Sequence, residues 1–162
     1  IETNDFGPLI SEDQRKRVMK YIAQGISEGA TLVCGGNEAN DKGYFIQPTI
    51  FTDVTGDMSI AKEEIFGPVL CIEKFSDDTL DELADRANET TYGLSGSVWT
   101  SDISTGHRMA ALIDSGQVSI NCHAAVDSAI PFGGNKQSGW GREFGEEGLD
   151  SYLKTKATTV MY

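Results

Sequence analysis

Between Val69 and Asn121 the residue pattern changes period four times. The apolar run Val69–Phe75 gives way to helical spacing over Asp77–Thr90, with Leu80, Leu83, Ala84 and Ala87 on one face. Leu94–Thr100 is strand-like, Asp102–Ser115 is helical and stops at Gly116, and Gln117–Asn121 is strand-like again. Strands joined through helices cannot close as hairpins. Each helix carries the chain back across the sheet, so the strands run parallel with right-handed crossovers. The pattern predicts an α/β fold on a parallel sheet. With 162 residues the chain is the size of one domain, able to bury roughly two-thirds of its unfolded surface.

Upstream, Ser11 and Gln14 have capping-box spacing at the head of a helix, with Glu12 and Asp13 where the helix dipole favours carboxylates. Val18, Ile22 and Ile26, with Met19 beside them, form its apolar stripe, and Gly29 is its stop. Thr31–Cys34 is a short apolar run closed by Gly35-Gly36, and Asn37–Gly43 is a polar turn. Tyr44–Val54 is β-rich, but Pro48 within it points to an edge or interrupted strand. Cys122–Glu143 is long, irregular and glycine-rich, and a loop of that length in a compact domain is usually functional. Glu146–Tyr152 suits a short helix, and the β-branched Lys154–Tyr162 suits a strand with an exposed face.

A net charge of −12 argues against nucleic acid and against an anionic membrane surface, both of which need positive patches. No apolar stretch approaches the roughly 20 residues of a membrane span, and Ile1–Asp5 has no signal-peptide character. The missing initiator methionine hints at a fragment. Cys34, Cys71 and Cys122 are odd in number and widely spaced, which is no disulfide framework; Cys34 and Cys71 interrupt apolar runs as small buried hydrophobes would. A reducing cytoplasm follows as the expected compartment.

Several weak patterns fail on chemistry. Gly139–Gly145 misses the dinucleotide fingerprint by one residue and no clean strand leads into it. In Gly134–Ser138 the lysine neither follows glycine nor precedes Ser or Thr, as a phosphate loop requires. His107 lies in a helical stretch without a carboxylate at a productive spacing and reads as a surface residue. Cys122 and His123 are neighbours whose side chains diverge on an extended backbone, so no metal site is expected.

Two segments remain. In Lys62–Val69 (KEEIFGPV), Glu63 and Glu64 lead into Phe66 beside a Gly67-Pro68 turn that Pro68 stiffens. A carboxylate and a fixed ring there suit ribose hydroxyls and a flat nicotinamide, and equally a helix-to-strand turn whose glutamates face water. In Pro131–Glu143 (PFGGNKQSGWGRE), glycines permit close approach, while Lys136, Arg142 and Glu143 can tie the loop down by charge-assisted hydrogen bonds. A ligand-binding loop and a merely well-folded one both fit.

Taken in order, Glu63–Val69, Tyr92–Thr100 (YGLSGSVWT), Gly116–Asn121 (GQVSIN) and Pro131–Glu143 resemble the motif series of the aldehyde dehydrogenase superfamily; Gly7–Ile10 and Gly43–Val54 also match. The resemblance covers essentially the whole chain and corresponds to the C-terminal part of the catalytic domain. It implies residues 1–153 as the distal catalytic portion and 154–162 as an oligomerisation strand. It implies an oxidoreductase that takes an aldehyde to an acid with NAD or NADP, through a cysteine thiohemiacetal and thioester. By the same resemblance Glu64 holds the nicotinamide-ribose hydroxyls and Phe66 packs beside that ribose and the nicotinamide. Phe132 and Val126 line the substrate tunnel, and Glu143 is an acid behind the cysteine or a structural anchor.

The family's cysteine stands in a G-Q-x-C context. Gly116-Gln117 imitates it, but Cys122 follows the glutamine by five residues, not two. The nucleophile, the general-base glutamate of an E-L-G-G context and the cofactor domain are all expected upstream, so the chain alone is expected to be inactive, and its exposed strands to make it a homo-oligomer. A non-catalytic binding or assembly domain that kept the fold is the alternative, and acyl-CoA or acyl-phosphate chemistry a milder one. Phe132 in place of Trp argues modestly against the plant-type betaine and aminoaldehyde branch; the aldehyde itself is not legible.

Overall fold

The computed structural model describes residues 6–39, 42–76, 79–123 and 125–162, and the chain divides into two compact units, Ile1–Asp77 and Asp78–Tyr162.

The first unit opens with helix α1, Glu12–Glu28. The Ser11 hydroxyl accepts from the Gln14 amide at 3.2 Å, and Gly29 closes the helix in the left-handed region at φ 102°. Only half of the expected capping box forms, because the Gln14 side chain reaches away to carbonyls 51 and 52 residues along the chain. The buried face is Val18, Ile22 and Gly25; Ile26 is half exposed, because Gly25 is the residue that admits Ile60 against the helix. Strands β1 (Thr31–Cys34), β2 (Thr49–Thr52) and β3 (Val69–Cys71) form one sheet in that order, β1 antiparallel and β3 parallel to β2.

The Tyr44–Val54 run therefore supplies a central strand rather than an edge. Pro48 stops just short of β2, so its missing N–H costs no ladder bond. Upstream of it, Ile46 makes only an isolated bridge to Glu38. Among the described residues the edges are β1 and β3; β1 is exposed along its length, and Cys34 is exposed rather than buried. Cys71 is half-buried, and burial pushes its thiol pKa up. Phe51 and Val18, both fully buried, centre a core that also takes Ile22, Met58 and Ile60, the last from the four-residue helix α2 (Ser59–Lys62). Glu28, at the end of α1, caps α2 by accepting from the Ser59 amide at 2.8 Å.

The second unit begins with α3, Leu80–Asn88, whose Thr79 and Glu82 make a complete capping box. Strands β5 (Ser95–Val98) and β6 (Gln117–Ile120) pair in parallel and are joined by α4 (Ile103–Leu112), capped by Asp102. The short β4 (Tyr92–Gly93) pairs antiparallel with β7 (Asn135–Lys136). A 3-10 helix spans Glu147–Tyr152. The strand–helix–strand alternation is thus real, but it does not make one sheet among the described residues: β3 pairs with β2, and β5 with β6. Crossover rules set the hand of a connection and leave the neighbours open.

Helix α4 ends at Leu112 rather than Ser115 because Asn88 intercepts it. The Asn88 amide donates to the Leu112 carbonyl at 2.9 Å and its oxygen accepts from the Asp114 amide at 2.8 Å. The expected start of α3 at Asp77 lies outside the described residues. Lys154–Tyr162 is exposed and enters no ladder among the described residues, since a strand exists only with a partner. No helix among the described residues is long and apolar enough to cross a membrane.

Candidate functional site

One face of α1 grips the Glu63–Phe66 segment residue by residue. The Tyr21 hydroxyl donates to the Glu63 carboxylate at 2.6 Å, Arg17 donates to the Glu64 carbonyl at 2.9 Å, and Gln14 donates to the carbonyls of Ile65 and Phe66 at 3.1 and 2.9 Å. Positions 14, 17 and 21 share a face because three- and four-residue steps follow the helical turn. The bond to Glu63, then burial, raises the Tyr21 pKa, which keeps its hydroxyl a donor. Ile65 is buried in the core, and a Cβ on Gly67 would come within 2.6 Å of Val18, so the turn sits directly on the helix.

With the backbone held this way, Phe66 adopts φ 55°, a left-handed conformation that is costly for an aromatic residue, and the residue is 72% exposed. The Glu64 side chain is exposed too. A groove of about 460 Å³ lined by Pro8, Leu9, Ile10, Gln14 and Phe66 opens beside the ring. A free carboxylate and a free aromatic face on a rigid backbone suit a vicinal diol carrying a flat ring, the chemistry of a nicotinamide riboside. Besides the stiffening expected from Pro68, the turn is thus held by hydrogen bonds from α1. Sequence reasoning missed Gln14, Arg17 and Tyr21, since nothing local announces a partner some fifty residues away.

The second unit organises the Pro131–Glu143 loop. Phe132 and Glu143 exchange both backbone hydrogen bonds at 2.7 Å. The Arg142 guanidinium turns inward to the carbonyls of Gly134 and Gly141 and to the Asn135 side chain, at 2.8, 2.9 and 2.9 Å. Lys136 donates to the Asn88 carbonyl at 2.9 Å. Gly116 must be glycine, because a Cβ there would lie 1.7 Å from the Gly133 carbonyl oxygen. The expected tying-down by Lys136 and Arg142 is therefore present, whereas Glu143 contributes through its backbone and leaves its side chain exposed. Phe132 is half-buried, and Val126 stands on the preceding loop with its side chain 53% exposed.

His107 is exposed on α4. Among the described residues no three metal-ligating side chains cluster, and His123 instead meets Ser97. Glu64 and Phe66 thus share one unit, and Phe132, Glu143 and Val126 the other.

The family model described as "Aldehyde dehydrogenase family" matches residues 1–158. The chain is 53% identical, over 95% of its length, to aldehyde dehydrogenase family 2 member B4, mitochondrial, of Arabidopsis thaliana, and covers 28% of that protein. It is 50% identical to the betaine aldehyde dehydrogenase of Brucella anthropi, over 98% of this chain and 33% of that one. The NAD+ complex of aldehyde dehydrogenase from Bacillus cereus superposes with a TM-score of 0.88 at 49% identity, over 95% of this chain and 31% of that one. The chain therefore spans about a third of the length of these relatives. Motif order, α/β architecture and these matches agree: the chain belongs to the aldehyde dehydrogenase family.

Proposed function

We propose that this chain is the distal part of the catalytic domain of an NAD(P)-dependent aldehyde dehydrogenase, and that the parent oxidises an aldehyde to a carboxylic acid. One observation carries the reading: an exposed carboxylate and an exposed ring at Glu64 and Phe66, on a backbone that α1 holds residue by residue. In this reading Glu64 accepts hydrogen bonds from the nicotinamide-ribose hydroxyls, and Phe66 limits where the ribose and nicotinamide rest. The cofactor, when bound, accepts the electrons released from the aldehyde. Phe132 and Val126 shape the entry of the aldehyde, and Glu143 stands behind the reacting cysteine. That cysteine and most of the cofactor site belong to residues outside this chain, so the chain by itself turns nothing over.

The coding sequence on either side of Ile1–Tyr162 tests the placement. A G-Q-x-C context upstream supports a distal portion; finding it downstream overturns that placement while leaving the family intact. In the full-length parent, Glu64→Gln and Phe66→Ala are expected to raise the KM for NAD or NADP and to lower kcat, with aldehyde KM little changed. Parent kinetics unmoved by both substitutions would sink the cofactor reading. The reading includes a homo-oligomer in which Lys154–Tyr162 finds its strand partner, testable by light scattering of the parent and of a chain cut after Leu153. It includes a reducing compartment such as the cytoplasm, for which the three unpaired thiols are the support.

A further inference from the structure

Val126 stands on the loop 125–130, and both strands of the parallel pair reach the described residues just before it. From β5, Ser97 Oγ and His123 Nδ1 share a hydrogen bond of 2.8 Å. From β6, the Gln117 side-chain amide donates to the Ala125 carbonyl at 2.9 Å, immediately before Val126. On the far side, the Asp127 carboxylate accepts from the Ala129 amide at 2.8 Å, and the Ser128 carbonyl accepts from the Gly145 amide at 3.1 Å. Ser97 pairs in register with Ser119 on the β5–β6 ladder, so the clamp starts from a regular strand and not from another loop. Val126 itself is more than half exposed and does not anchor its own loop. Its position is therefore set by polar contacts on either side of it.

We propose that Ser97, His123 and Gln117 are positioning residues that determine aldehyde selectivity by holding the Val126 loop against β5 and β6. The inference rests on the tunnel reading of Val126 given above. A histidine suits the post at 123 because its ring is rigid and its Nδ1 lies close to the backbone. It converts a neighbour on the strand into a fixed distance for the loop. Releasing it leaves the reacting groups in place and lets Val126 drift, which matters for bulky aldehydes and little for small ones.

The test uses the full-length parent and a series of straight-chain and aromatic aldehydes. Val126→Trp examines the tunnel reading alone. If it leaves selectivity between small and bulky aldehydes unchanged, that reading fails and the proposal with it. Ser97→Ala, His123→Phe and Gln117→Leu are expected to change the ratio of kcat/KM for bulky against small aldehydes about threefold to tenfold, chiefly through KM, the consequence of one lost hydrogen bond. Ser97→Ala combined with His123→Phe should match the larger single effect, because both break one contact. His123→Asn, which can again place a polar atom near Ser97, should restore the ratio. Unchanged selectivity in the three single variants while Val126→Trp alters it, or fully additive effects at 97 and 123, would overturn the clamp and leave the tunnel standing. Should His123→Phe fail to fold, Ser97→Ala and His123→Asn decide the question.

Discussion

The two compact units hold their candidate residues by different means. In the first, nine buried apolar residues among those described form a core, and Ile65 of the Glu64–Phe66 turn is one of them. In the second, Ala84 and Met109 are the only buried apolar residues among those described, and the Phe132–Glu143 loop is held by Arg142, Lys136 and paired backbone amides. A turn that belongs to a packed core can sustain an unfavourable backbone such as Phe66 at φ 55°, because the core overdetermines it. A loop held by polar bonds is no less defined, but losing the Arg142 contact takes a donor from the part-buried Gly134 carbonyl.

Deleting apolar bulk is expected to show the contrast most strongly. Phe51→Ala removes a fully buried ring and should cost the first unit about 3–5 kcal/mol, read as lost amide-exchange protection there while the second unit keeps its own. Simultaneous loss in both would mean that they unfold as one and would break the comparison. Arg142→Leu should do the reverse at about 2–3 kcal/mol, exposing amides across residues 131–145 and sparing α1. Phe66→Gly sharpens the argument about strain. Relieving a left-handed aromatic is expected to stabilise the first unit by about 1 kcal/mol in urea denaturation, while weakening NAD(P) binding by the parent.

The smallest effect is on acid sensitivity. Hydrogen bonds from the Thr79 amide and hydroxyl lower the Glu82 pKa, and the Thr105 hydroxyl, then the Ser104 amide, lower that of Asp102. Carboxyls lowered in the fold stabilise it fully above the ordinary carboxylate range and lose that effect as pH falls through the lowered values. Helix α1 is capped instead by the Ser11 hydroxyl, which does not titrate. Glu12 in its first turn is lowered as well, by a hydrogen bond to Lys16 foremost, but it is not the cap. Between neutral pH and about pH 3, the first turns of α3 and α4 should lose exchange protection before that of α1.

Much of this organisation was legible in the chain. The α1 stripe, its Ser11 and Gly29 ends, the βαβ unit around α4 and the segments holding Glu64 and Phe132 follow from periodicity, cap chemistry and motif order, all of which are local. The Thr79–Glu82 capping box rests on an equally local spacing, a threonine followed three residues later by glutamate. What misled was context: Pro48 suggested an edge where β2 is central, Cys34 suggested burial where β1 is exposed, and the strands around Val69 and Leu94 suggested one sheet where, among the described residues, β3 pairs with β2 and β5 with β6.

The amino-acid order by itself determined which segments are helix, strand and chemically equipped loop, since those depend on side chains a few residues apart. Only the tertiary structure decided that Gln14, Arg17 and Tyr21 would hold the backbone from Glu63 to Phe66, and that Ser97 would meet His123. Such contacts join residues 26 to 52 positions apart. Their geometry exists only after the core has packed and chosen which helix face and which strand lie under each loop.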